Sequence, residues 1–221
     1  MLNLLRDVSS EIRVLDPRQA GSDTAWASTV LDACPPLHDV NAYAVDDEDN
    51  AGDTDDDGTD GAAPVADEEA PGAGNDFWLV ATGFTTPSTL TRGTLRRNAQ
   101  GGVDSTHEVI RSSPSFFNED AYEVQQHFAV SQDGTRVPYF QVASRDLVLD
   151  GQNPTQLSGY GGFEISRTPA YSGAVGRAWL ERRTHESAGH EGEAPHTRGG
   201  VYVVANIRGG GEYGPSWHRA A

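Results

Sequence analysis

The sequence predicts a mixed fold, an all-β unit of short strands followed by an α/β unit. Two textures carry this reading. Residues 1–112 hold short β-rich runs separated by turn residues, with no 3.6-residue apolar period. Residues 122–207 hold two alternating runs, a helix-forming stretch and one continuous apolar run, which is the order of an α/β unit. The texture changes at Ser112-Ser-Pro-Ser115, so the expected division is 1–115 and 116–221.

In the first part, Glu11-Ile-Arg-Val-Leu-Asp16 alternates polar and apolar and ends at Pro17, a strand and a turn. Asp76-Phe-Trp-Leu-Val-Ala-Thr-Gly-Phe84 reads as a second strand, and Thr85-Thr-Pro-Ser88 as its turn. Ser88-Thr-Leu-Thr-Arg-Gly-Thr-Leu95 reads as a third, closed by the turn Asn98-Ala-Gln-Gly-Gly102. Strands at this spacing suit a sandwich, a barrel or a propeller blade. In the second part, Val124–Ser131 and Arg136–Ser144 alternate around Asp133-Gly134, a strong hairpin signal. A helix is expected over Ser172–Arg183, with Val175, Ala178, Trp179 and Leu180 toward one side. Gly200-Val-Tyr-Val-Val-Ala-Asn-Ile207 suits a central strand buried on both faces, as in a parallel sheet.

Two polar segments interrupt this pattern. Residues 46–69 hold twelve acidic side chains and no basic one, a large share of the net charge of -17. Such a stretch cannot bury enough apolar surface to offset its ordering entropy, so 46–75 is expected to be a disordered surface insertion. Asp53, Asp55, Asp57 and Gly58 resemble the start of a calcium loop, but the twelfth position is Pro64 rather than Glu. Residues 184–199 form a second polar, Gly-rich insertion. His185, His190 and His196 stand there with Glu186, Glu191 and Glu193, at spacings that match no helical metal motif. No metal or cofactor is expected.

Composition excludes several classes. The 33 acidic residues against 16 basic ones disfavour nucleic acid and anionic membranes as partners. A single cysteine, Cys34, permits no intramolecular disulfide, and its place before Pro35-Pro36 argues against a catalytic thiol. No apolar run approaches the roughly 20 residues of a membrane span. Met1-Leu-Asn-Leu-Leu-Arg6 has no signal-peptide pattern, so a cytoplasmic location is expected. All basic residues are Arg, which removes lysine Schiff-base and Ser-Lys chemistry from this chain. The hydrophobic share of 36% is low, as two polar insertions would make it.

Gly209, Gly211 and Gly214 satisfy the spacing of a dinucleotide fingerprint directly after the buried run. Pro215 follows instead of an apolar helix, and the acidic residue expected about 20 positions on would fall past Ala221, the last residue. The better reading is a tight turn that needs positive φ and close backbone packing.

Tyr160-Gly-Gly-Phe163, Ala205-Asn-Ile-Arg-Gly-Gly-Gly-Glu-Tyr-Gly214, Trp217-His218 and Asp133-Gly-Thr-Arg-Val-Pro-Tyr-Phe140 together resemble the prolyl oligopeptidase family of serine peptidases. The likeness is strong over 122–221 and weaker over 1–112. It implies the C-terminal blades of a β-propeller followed by the N-terminal part of an α/β-hydrolase sheet. It also implies that Tyr160 donates its hydroxyl to the oxyanion of the tetrahedral intermediate, and that Phe163 helps line the pocket for a proline ring. From the residues alone, a Phe here is equally a core residue.

No Ser stands in Gly-x-Ser-x-Gly; Ser172, in Ala-Tyr-Ser-Gly-Ala, lacks the first Gly. The resemblance places the triad beyond His218, so His218 is not its base, and this chain is expected to be a fragment inactive by itself. The implied activity is hydrolysis of short peptides after proline, completed by the C-terminal part of the same enzyme. Specificity for basic residues or acyl-peptides is an alternative within the class. A non-catalytic β-rich module, holding cations on its acidic loop, is the alternative outside it. The apolar sheet edge of such a fragment favours aggregation.

Overall fold

The computed structural model describes residues 1–16, 26–45, 75–99, 102–182, 184–185 and 197–221. The acidic run at 46–74, with its calcium-like spacing, and the interior of the second insertion at 186–196 lie outside the described residues.

The first part is strand-built. A hairpin of β1 (Leu2–Arg6) and β2 (Ser9–Asp16) is extended by β3 (Ala27–Val30) into an antiparallel three-stranded sheet. An antiparallel meander follows: β4 (Asp39–Ala44), β5 (Asp76–Thr82), β6 (Thr89–Arg97) and β7 (Val103–Ser112) pair in chain order. The alternation expected in β5 is seen, with Phe77, Leu79 and Ala81 buried on one face. They join Ile12, Leu31, Val40 and Ala42 in one apolar core. Opposite Phe77 stands Gly93, and any side chain there would overlap the Phe77 ring. A glycine inside a strand here makes room for a neighbouring aromatic.

A third sheet is built around the predicted hairpin of β8 (Tyr122–Val130) and β9 (Arg136–Ser144). Its turn has Gly134 at φ 83°, and the Thr135 N–H donates to Asp133 Oδ1 at 3.0 Å. Next come β10 (Thr155–Gly159) and β13 (Val201–Ala205), in the order β8-β9-β13-β10. β13 is central, as its apolar run predicts. It is parallel to β10 but antiparallel to β9, so the sheet is mixed rather than wholly parallel. Between β10 and β13 the short strands β11 (Thr184–His185) and β12 (Thr197–Arg198) pair, closing the base of the second insertion.

The expected helix over 172–183 is shorter. Ser172 Oγ accepts from the Val175 N–H to start α1 (Gly173–Val175), which runs into a π-helical turn at Gly176–Leu180. The wider turn changes which residues face inward. Gly176 and Leu180 are buried, whereas Ala178 points outward, contrary to expectation. Gly176 is required because Phe117 occupies the space of a side chain. Phe117, Phe140, Val142, Leu180 and Val204 share a core with Phe84 and Val8, which come from the first part of the chain. Burial of each large side chain there contributes roughly 1.5–3 kcal/mol. The last helix, α2 (Pro215–Arg219), starts with Pro at its first turn, where no N–H is needed.

Candidate functional site

β10 and β13 run parallel, and the segments leaving their carboxyl ends meet. In open α/β sheets that edge is where ligands bind. The first segment is Tyr160–Arg167 and the second is Asn206–Gly214.

Tyr160 follows the last residue of β10 and is 48% exposed. Its hydroxyl makes no hydrogen bond among the described residues. Phe163 is 84% exposed, which corrects the alternative of a core Phe. The reason is local: Gly161, Phe163 and Glu164 have φ of 57°, 52° and 57°. This left-handed turn carries Phe163 off the sheet surface. Two consecutive non-glycine residues in that region are uncommon and need support from their surroundings.

The second segment supplies that support. Gly161 packs against Ile207 and the Arg208 carbonyl, leaving no room for a side chain. Gly209, at φ 96°, lies on the Gly161 carbonyl, and Gly211 lies on the Glu164 carbonyl. The three glycines of the dinucleotide-like spacing thus serve a turn and close backbone contact, as the sequence reading has it. The Glu164 N–H donates to the Gly209 carbonyl at 3.2 Å. His218 Nδ1 sits 2.7 Å from the same carbonyl and 3.2 Å from the Glu164 N–H, donating to the first or accepting from the second according to its tautomer.

Further along, Asn206 Nδ2 donates to the Arg167 carbonyl at 2.8 Å, and the Arg167 N–H donates to Glu212 Oε1 at 3.0 Å. Both residues lie inside the motif that carries the family resemblance, yet the sequence reading gave neither a role. A glutamate beside three glycines after a buried strand was the available signal. Arg208 pairs with Asp133 in the β8–β9 turn. The Thr135 N–H and the Arg208 guanidinium hold the Asp133 carboxyl well below the usual carboxylate range.

No group of three or more His, Cys, Asp or Glu side chains among the described residues is placed to hold a metal. The side chains of His185, His190 and His196 lie outside the described residues. Among the described residues no helix is long and apolar enough to cross a membrane.

No protein-family model matches the chain. Relatives do. An uncharacterized peptidase of Sinorhizobium fredii is 36% identical over 220 residues, covering 100% of this chain and 23% of the relative. The prolyl endopeptidase of Elizabethkingia meningoseptica is 36% identical over 161 residues, covering 68% of this chain and 19% of the relative. Among solved structures, prolyl oligopeptidase B of Galerina marginata, bound to a 35mer hydrolysis and macrocyclization substrate, superposes with TM-score 0.64 at 22% identity. That match covers 99% of this chain and 24% of the other. A post-proline cleaving enzyme of Rickettsia typhi gives TM-score 0.58 at 22% identity, covering 100% of this chain and 24% of the other. The chain thus spans about a quarter of the length of the first curated relative and of these structures. Sequence likeness along its whole length, with solved structures that share its fold, makes the chain a member of the prolyl oligopeptidase family of peptidases.

Proposed function

We propose that this chain is part of a serine-type oligopeptidase that hydrolyses short peptides after proline, without metal or cofactor. Residues 1–115 supply a portion of a β-propeller and 116–221 the start of an α/β-hydrolase domain. The observation that carries this reading is the placement of Tyr160. Its hydroxyl makes no hydrogen bond among the described residues, and the residue is half exposed at the carboxyl end of a parallel strand, where a donor can face developing negative charge. Phe163, three residues on and exposed, offers an apolar face for a proline ring.

The hydroxyl donates to the oxyanion as the scissile carbonyl becomes tetrahedral. A donor held in place before the reaction does not reorganise during it, which is why such groups contribute strongly to rate. The nucleophile and its base must come from elsewhere, because no Ser here stands in Gly-x-Ser-x-Gly.

Tyr160→Phe, made in the enzyme that carries these residues, tests the assignment. The expected loss is roughly 10²–10³ in kcat on a prolyl-amide chromogenic substrate, with KM little changed. An unchanged kcat sinks the role of Tyr160. The 221-residue chain by itself is expected to give no turnover; measurable turnover by the pure chain refutes the reading that its nucleophile lies elsewhere.

A further inference from the structure

Asn206 and Glu212 are the most deeply buried polar side chains beside the site, at 0% and 5% exposure. Glu212 makes no ion pair among the described residues. Its Oε1 accepts from the Arg167 N–H at 3.0 Å and from Asn206 Nδ2 at 3.2 Å. Among the described residues its Oε2 and the Asn206 Oδ1 have no hydrogen-bond partner. Oε2 fills the space over Gly210 where a side chain would otherwise be. Burying a carboxylate without a cation costs several kcal/mol, so such a group is a poor way to add stability. It is a good way to fix one position.

That position is Arg167. Its N–H is held by Glu212 and its carbonyl by Asn206, so both polar groups of one backbone residue are gripped from the segment that leaves β13. Asn206 is itself tied to β9, donating its backbone N–H to the Pro138 carbonyl at 3.0 Å. Arg167 closes the segment that begins at Tyr160 and includes the left-handed Phe163 and Glu164. Among the described residues the segment's other attachment is at Glu164, whose N–H reaches the Gly209 carbonyl and His218 Nδ1. With Arg167 released, the strained turn loses one of its two anchors.

We propose that Asn206 and Glu212 are positioning residues that clamp Arg167 and thereby hold Tyr160 and Phe163 in register with the substrate. This rests on the oxyanion role of Tyr160. The clamp acts through Tyr160, so its effect depends on the Tyr160 hydroxyl being present. Glu212→Gln keeps an acceptor at Oε1 and exchanges Oε2 for an amide NH2. Glu212→Leu removes the acceptor. Asn206→Asp removes both Nδ2 hydrogen bonds and sets two carboxylates side by side.

In the enzyme that carries these residues, Glu212→Leu and Asn206→Asp are expected to lower kcat by roughly 10²-fold, with KM changed far less. Glu212→Gln is expected to stay within about threefold of the parent. In the Tyr160→Phe background, Glu212→Leu should add little further loss, since the group it positions is gone. An equal fold-loss in both backgrounds overturns the proposal. So does a Glu212→Gln variant as impaired as Glu212→Leu.

Amide hydrogen exchange separates the clamp from the oxyanion role. In the unsubstituted protein the Arg167 amide should exchange slowly; free exchange there overturns the clamp, whether or not Glu212→Leu folds. If Tyr160→Phe leaves kcat unchanged while Arg167 stays protected, the oxyanion reading has failed and the clamp has lost its catalytic purpose.

Discussion

The Tyr213 hydroxyl donates to Asp7 Oδ1 at 2.9 Å, joining residues 206 positions apart in the chain. Burial, and then the Asp7 carboxylate, push the Tyr213 hydroxyl up to about 12 from its ordinary 10. A raised folded-state value means stability that is complete below pH 10 and is lost as pH rises toward 12. The stability difference between the parent and Tyr213→Phe should therefore shrink across that window. Urea unfolding at pH 9 and pH 11.5 measures it, and a constant difference contradicts the assignment.

Asp76 gives the opposite sign. It accepts from Thr94 Oγ1 at 2.5 Å and from Arg92 at 2.6 Å, across the β5–β6 pair. These bonds, Thr94 first, hold its carboxyl below the ordinary 3.8. Their stability is present above that value and fades as pH falls below it. Asp76→Asn should lose stability at pH 7 and approach the parent in acid. A deficit as large at pH 2.5 as at pH 7 contradicts this.

Gly93→Ala should be costly despite the small change. The added methyl would overlap the Phe77 ring in the centre of the meander. Overpacking of that kind costs about 1–3 kcal/mol. Thermal unfolding of the variant checks it; an unchanged midpoint would mean that the ring yields freely.

Cys34 should be a slow thiol. Burial first, and then the Asp32 and Glu11 charges, push it up from 9.0. Alkylation by iodoacetamide followed against pH should give a midpoint above 9.0. A midpoint below that value refutes the expectation.

Legibility in the sequence followed where the pattern is strong. The β8–β9 hairpin was readable because Asp133-Gly134 needs one kind of turn and both flanks alternate. β13 was readable because a strand between two others is apolar without interruption. β1 and β7 were not, since both are largely exposed and carry no alternation. Trp179 and Leu180 were placed on the inward face, but Ala178 was not, because a π-turn breaks the 3.6 period. At the site, Tyr160 and Phe163 came from the family resemblance, and Gly209 from its backbone demands. Asn206 and Glu212 escaped notice because their partner Arg167 lies 39 and 45 residues away. That pairing exists only because β13 inserts between β9 and β10.

Val8 sits at the tip of the first hairpin, with φ 62°, and is completely buried among Phe84, Phe140, Val142 and Val204. The opening residues of the chain therefore finish a core most of whose other walls are laid down more than a hundred residues later. During synthesis that core stays open until Val204 emerges. A cut at the textural boundary near residue 115 would leave one piece with an exposed plug and the other with an unfilled socket.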